Sequence, residues 1–107
     1  MSEANSEESK SFANIDRLVH EPARLTILAH LYVVECADFL FLMRQTGLTW
    51  GNLSSHLSKL EAAGYIEIEK KFNGKKPSTM LRITAKGRNA FLDYRRSMKQ
   101  ALDQLPE

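Results

Sequence analysis

Residues Phe39 to Gly64 read FLFLMRQTGLTWGNLSSHLSKLEAAG, the pattern of two short helices joined by a tight glycine turn. The apolar run Phe39, Leu40, Phe41, Leu42, Met43 supplies the first helix, and Gly47 stands where a left-handed residue is needed to end it. Thr49 offers a side-chain oxygen to cap the next helix, with Leu48 just outside and Leu53 at the fourth helical position as a hydrophobic staple. From Thr49 to Ala63, Leu53, Leu57 and Leu60 recur at spacings of four and three, which gathers them on one side. Opposite lie Gly51, Asn52, Ser55, Ser58, Lys59 and Ala62, small or hydrogen-bonding side chains that leave room for a major groove. A core helix with a solvated face would show the same leucine spacing, so the twenty residues after Gly64 decide between the two. Gly64 itself is placed to be a left-handed C-terminal cap, with Tyr65 folding back on Leu60.

Tyr65 to Phe72 alternates, Ile66 and Ile68 inward and Glu67 and Glu69 outward, the period of a half-buried strand. Thr79 to Thr84 alternates again, with Leu81 and Ile83 inward and Met80 and Arg82 outward. Between them Asn73-Gly74-Lys75-Lys76-Pro77 favours a reversal, and Pro77 is expected to discourage continuation of the ladder. This is a hairpin with a basic tip. Thr84 then caps a last helix carrying Ala90, Phe91, Tyr94 and Met98, reaching Leu102 or Leu105.

Helix-turn-helix followed by a basic hairpin is the order of a winged helix, an α+β fold that is mostly α with a small antiparallel wing and a C-terminal helix. From about Asp16 to Leu102 the chain resembles the small winged helix-turn-helix transcriptional regulators related to the MarR and ArsR groups. The resemblance is carried by Pro22-Ala23-Arg24-Leu25-Thr26-Ile27-Leu28, by Asn52-Leu53-Ser54-Ser55-His56-Leu57 with Leu60-Glu61-Ala62-Ala63-Gly64-Tyr65, and by Lys76-Pro77-Ser78-Thr79 followed by Ile83-Thr84-Ala85-Lys86-Gly87-Arg88. It implies a homodimeric, sequence-specific binder of double-stranded DNA, with the Trp50 to Ala63 helix in the major groove and the wing on the backbone or minor groove.

A chain of 107 residues allows one domain, and one this short gains from extra burial in a dimer. It leaves little room for a sizeable enzyme pocket, and no Ser-His-Asp order, Gly-rich phosphate loop or paired carboxylates stand out, so no enzyme is expected. No apolar run approaches the roughly 20 residues of a membrane helix. The polar start Met1-Ser2-Glu3-Ala4-Asn5-Ser6 lacks the features of a signal peptide, which together with the single Cys36 leads to an expected cytoplasmic location and no membrane partner. The formal net charge of +2 hides an asymmetry: Lys70 to Lys99 holds ten basic residues against Asp93 alone, +9, leaving −7 for the rest. Arg88, Arg95, Arg96 and Lys99 read as the solvated face of a helix, whereas Lys70, Lys71, Lys75, Lys76 and Arg82 read as phosphate contacts.

Residues 1–11 are expected to be a disordered polar tail, and 12–105 a single winged helix domain that includes N- and C-terminal dimerisation helices. Asn14 to Val19 is expected to form a short helix broken by His20-Glu21-Pro22, with Pro22 opening the next. Pro22 to Glu35 carries Leu25, Leu28 and Tyr32 on one stripe and Ile27, Leu31 and Val34 on another, a girth that needs burial on two sides, one of them against a terminal helix or a second subunit. Ala37 and Asp38 are placed to form a tiny strand closing the sheet.

His20, His30, His56 and Cys36 lack the spacing of a ligand set, so neither metal nor cofactor is expected. His56 is read as packing or hydrogen bonding within the domain, Trp50 as packing on the wing or lying against a sugar-phosphate chain, and Cys36 as a small buried residue. The function expected is a dimeric regulator on a palindromic operator, with half-sites about 34 Å apart. Asn52, Ser55 and Lys59 are the candidates for base edges. Thr49, Lys70, Lys71, Lys75, Lys76 and Arg82 are those for phosphates. The alternatives are a winged helix used as a protein-protein module, and a regulator gated by ligand or redox state, for which no effector is indicated.

Overall fold

Glu21 opens the first helix by taking two of its orphan amides, Ala23 N at 2.8 Å and Arg24 N at 3.1 Å, and Pro22 occupies the position where a missing amide does no harm. The structure is a computed structural model that describes residues 12–107. The tail expected over residues 1–11 lies outside the described residues. From Pro22 on, four helices and three strands succeed one another: α1 (Pro22–Val34), β1 (Cys36–Asp38), α2 (Phe39–Thr46), α3 (Trp50–Ala62), β2 (Ile66–Asn73), β3 (Lys76–Ile83) and α4 (Ala85–Asp103). The strands form one antiparallel sheet in the order β1-β3-β2. This is the α+β winged helix.

Each boundary of the helix-turn-helix has a local cause. Asp38 accepts from Phe41 N at 2.7 Å to start α2, and Gly47, at φ 70°, ends it by donating to Met43 O. Thr49 Oγ1 accepts from Asn52 N to start α3. At the far end Gly64 has φ 80°, and its amide and that of Tyr65 donate to Glu61 O and Leu60 O, both at 2.9 Å, which completes a Schellman cap. Leu53, Leu57 and Leu60 are buried together with Ile27, Leu28 and Leu31 of α1, Leu42 of α2, Ile66 of β2 and Leu81 of β3. At roughly 1.5–3 kcal/mol for each buried leucine, the inner side of α3 holds the helix in place, and its outer side is free of any packing duty.

Two expectations are corrected. Asn14 to Val19 is a run of turns instead of a helix: Asp16 draws the amides of Leu18 and Val19 onto its own carboxylate, a local bond that competes with helix, while Ile15 and Val19 anchor the segment in the core. The ladder also runs on through Pro77, paired with Phe72, and reverses in Gly74 and Lys75 alone. β1 pairs with β3 only from Met80 to Arg82, so at Pro77 the far side of β3 is an open edge, where a proline is tolerated. Gly74 carries a φ of 69° and Lys75 a negative one, so a type II′ turn closes the hairpin.

Candidate nucleic-acid interface

The Gly47 turn and the Gly64 cap together direct one side of α3 outward. Asn52, Ser55 and Lys59 fall at spacings of three and four on this side, all exposed or half-exposed. Their side chains make no hydrogen bond or ion pair with any described residue. Gly51, Ser58 and Ala62 lie beside them, also exposed, and keep the surface low. Thr49 is exposed at the N-terminal end with its hydroxyl engaged in the cap. Trp50 is 62% exposed and leans on Phe39, ring centres 4.3 Å apart at 47°. It packs on α2's first residue while bordering the groove toward the wing, where Ile68, Lys70, Thr79 and Leu81 form the other wall.

His56 braces α3 from behind. Its Nδ1 lies 3.1 Å from Arg24 Nη1 and 3.4 Å from Glu21 Oε2, and Arg24 Nε donates to Leu18 O. Desolvation pushes the Glu21 carboxyl up. The amides of Ala23 and Arg24 and the charges of His56 and Arg24 outweigh it and hold the carboxyl below its ordinary value of 4.5. The helix that would meet DNA is thereby tied to the N-terminus of α1.

Register divides the wing into two faces. Ile66, Ile68, Lys70 and Phe72 stand opposite Ile83, Leu81, Thr79 and Pro77, on the face turned to α3. Glu67, Glu69 and Lys71 stand opposite Arg82, Met80 and Ser78 on the other face, with Cys36 alongside. Lys70 therefore stands on the wing face turned to α3, across a groove from Ser54, Ser58 and Glu61, with Asn52, Ser55 and Lys59 on the neighbouring outward side of the helix, and Lys75 extends from the turn. Lys71 and Arg82 do not join them: Lys71 Nζ is 3.6 Å from Glu69 Oε2, and Arg82 is cross-strand from Glu67. Lys76 pairs with Asn73 at the tip of that outer face, next to the turn. Phe72 shares strand parity with Ile66 and Ile68 and so stands on the same face as those two residues.

The remaining histidines bond within the scaffold. His20 Nδ1 meets Tyr94 OH at 2.7 Å and His30 Nδ1 the Thr26 carbonyl at 2.9 Å. Among the described residues no three His, Cys, Asp or Glu side chains lie close enough to hold a metal ion, and no helix is long and apolar enough to cross a membrane. Tyr65 OH donates to Asp16 Oδ2 at 2.6 Å; burial, then that bond and the carboxylate's charge, push its phenol up to about 12.

Comparison with known proteins agrees with this geometry. The model of the winged helix DNA-binding domain matches residues 23–102. The uncharacterized protein MJ0432 of Methanocaldococcus jannaschii is 40% identical over 78 residues, 73% of this chain and 85% of that one. A transcriptional regulator homologue from Pyrococcus horikoshii has 30% identity and a TM-score of 0.83 over 94% of this chain and 99% of its own. A MarR-family transcriptional regulator from Silicibacter pomeroyi, 20% identical with a TM-score of 0.66 over 95% of this chain and 66% of its own, shares the fold. The exposed helix, the wing beside it and the family match lead to one conclusion: the chain belongs to the winged helix DNA-binding domain family, and it is a DNA-binding protein of the transcriptional regulator type on a MarR-like fold.

Proposed function

We propose that the protein acts in the cytoplasm as a homodimeric, sequence-specific regulator on a palindromic operator, each subunit placing α3 in the major groove of one half-site. The observation that carries the reading is the outward row Asn52, Ser55, Lys59, unengaged, on a helix whose Ser54, Ser58 and Glu61 line a groove against Lys70 of the wing. Asn52 suits a bidentate pair with adenine and Lys59 a contact to guanine, each worth about 1–3 kcal/mol of discrimination. Thr49, Lys70, Lys75 and Lys76 set the register through phosphates. Lys71 and Arg82 have carboxylates as neighbours on the opposite face and contribute little. Support for a dimer comes from apolar side chains left in solvent at the ends of α1 and α4, Val33 at 79% exposure with Val34, Leu102 and Leu105.

Selection of bound sequences from random duplexes tests binding, palindromy and half-site spacing together. A dimer neutralising six to ten phosphates should lose log affinity against log salt with a slope of about −5 to −9. A slope near zero, or a monomer mass by light scattering at micromolar concentration, would reject the corresponding part.

A further inference from the structure

Phe72 is 78% exposed, although it stands on the face of β2 that carries buried Ile66 and half-buried Ile68 nearer the core. Its neighbour across the ladder is Pro77, exposed as well, and the chain reverses immediately beyond them at Gly74 and Lys75. A phenyl ring so exposed contributes little to the core, so folding gives no reason for an aromatic there. Nor is the pair arranged to add a strand, since Pro77 offers no amide at the open edge of β3. Cations flank it: Lys70 one step along the same face and Lys75 in the turn, with Lys76 next to Pro77 in sequence at the tip of the outer face.

An apolar tip between free lysines complements a surface with anionic rims and an apolar floor. The minor groove of DNA has that chemistry, with phosphates along both walls, sugars and base edges between them, and a width of about 6 Å. The geometry points to Phe72, backed by Pro77, as an apolar wedge that enters the minor groove and partly unstacks a base step, while Lys70, Lys75 and Lys76 hold the phosphates on either side. This rests on the DNA-binding reading and adds to it a non-electrostatic contact and a local bend. Pyrimidine–purine steps open most readily, so the wedge selects such a step at a fixed distance outside the site read by α3.

The test uses a duplex selected by the protein from a random pool, carrying 2-aminopurine at successive flanking positions and titrated with wild type, Phe72→Ala and Lys75→Ala. Wild type should raise the fluorescence at one flanking step. Phe72→Ala should abolish that rise and weaken binding about tenfold, equivalent to ~1.4 kcal/mol, at every salt concentration with the salt slope unchanged. Lys75→Ala should keep the rise and reduce the slope by about one. Equal affinity and fluorescence for wild type and Phe72→Ala would overturn the wedge and leave the operator reading standing. Failure of the wild type to retain any duplex would overturn both. If Phe72→Ala keeps its DNA affinity and instead loses binding to phosphatidylserine-containing vesicles, the tip belongs to a lipid surface and the wedge is again overturned.

Discussion

Gly87, in the first turn of α4, touches the backbone of Tyr65, the residue that closes the C-terminal cap of α3; a Cβ at position 87 would overlap the Tyr65 carbonyl oxygen. Thr84 tightens the same junction, its hydroxyl donating to Gly64 O at 2.6 Å and its amide to Tyr65 O at 3.1 Å. In an exposed helix Gly→Ala gains up to about 1 kcal/mol. Here the neighbour is backbone and cannot swing aside, so Gly87→Ala should destabilise the protein by about 1–3 kcal/mol. Urea unfolding would show a lower midpoint at unchanged slope. A midpoint equal to or above wild type would mean that Gly87 and Tyr65 are not in close contact in solution.

Asn52 and Lys70 are expected to fail in different ways. Asn52→Ala should lose about 1–3 kcal/mol on the selected operator and relax the preference at one base position, with little change on random duplex. Lys70→Ala should weaken binding to both and lower the salt slope by about one. Arg82→Ala, on the face shared with Glu67 and Glu69, should alter the slope by much less than Lys70→Ala. Equal slopes for the lysine and arginine variants would contradict the division of the wing into a DNA face and an outer face.

Glu21 gives stability an acid limit. Its folded-state pKa lies below the ordinary 4.5, so its contribution is complete above that value and is lost as pH falls through the lower folded-state one. Replacing this cap by Glu21→Ala should cost about 1 kcal/mol at pH 7. The gap between variant and wild type should close as urea titrations are repeated at lower pH, below about 4.5. A gap independent of pH would show that the charge at Glu21 has no part in holding α1 to His56.

Tyr65 sets the opposite limit. The folded state raises its phenol, so the neutral form adds stability that is whole below the ordinary value of 10.0 and disappears as pH rises toward about 12. The difference between wild-type and Tyr65→Phe absorbance at 295 nm should therefore develop near pH 12. Development near 10 would mean that the Asp16 bond is not kept in solution.

Much of the fold was legible because its signals are local. Gly47, Thr49, Gly64 and Thr84 act through bonds spanning a few residues, and the leucine period of α3 needs only helical geometry to define its inner side. Ala37 and Asp38 were expected as a tiny strand, but what makes them one is long-range pairing with Leu81 and Met80, which also adds Cys36 opposite Arg82. The Asn14 to Val19 segment misled because the Asp16 side chain captured the amides of Leu18 and Val19 in a local turn.

The sequence by itself determined the order of elements, their caps and the polar side of α3, since each depends on neighbours within one or two turns. The tertiary structure alone decided which lysines face that helix. Strand parity sorts the wing residues into two sets, but only the packing of β2 and β3 against α3 says which set faces the helix, so Lys70 and Phe72 were separated from Lys71 and Arg82 by a contact between distant parts of the chain.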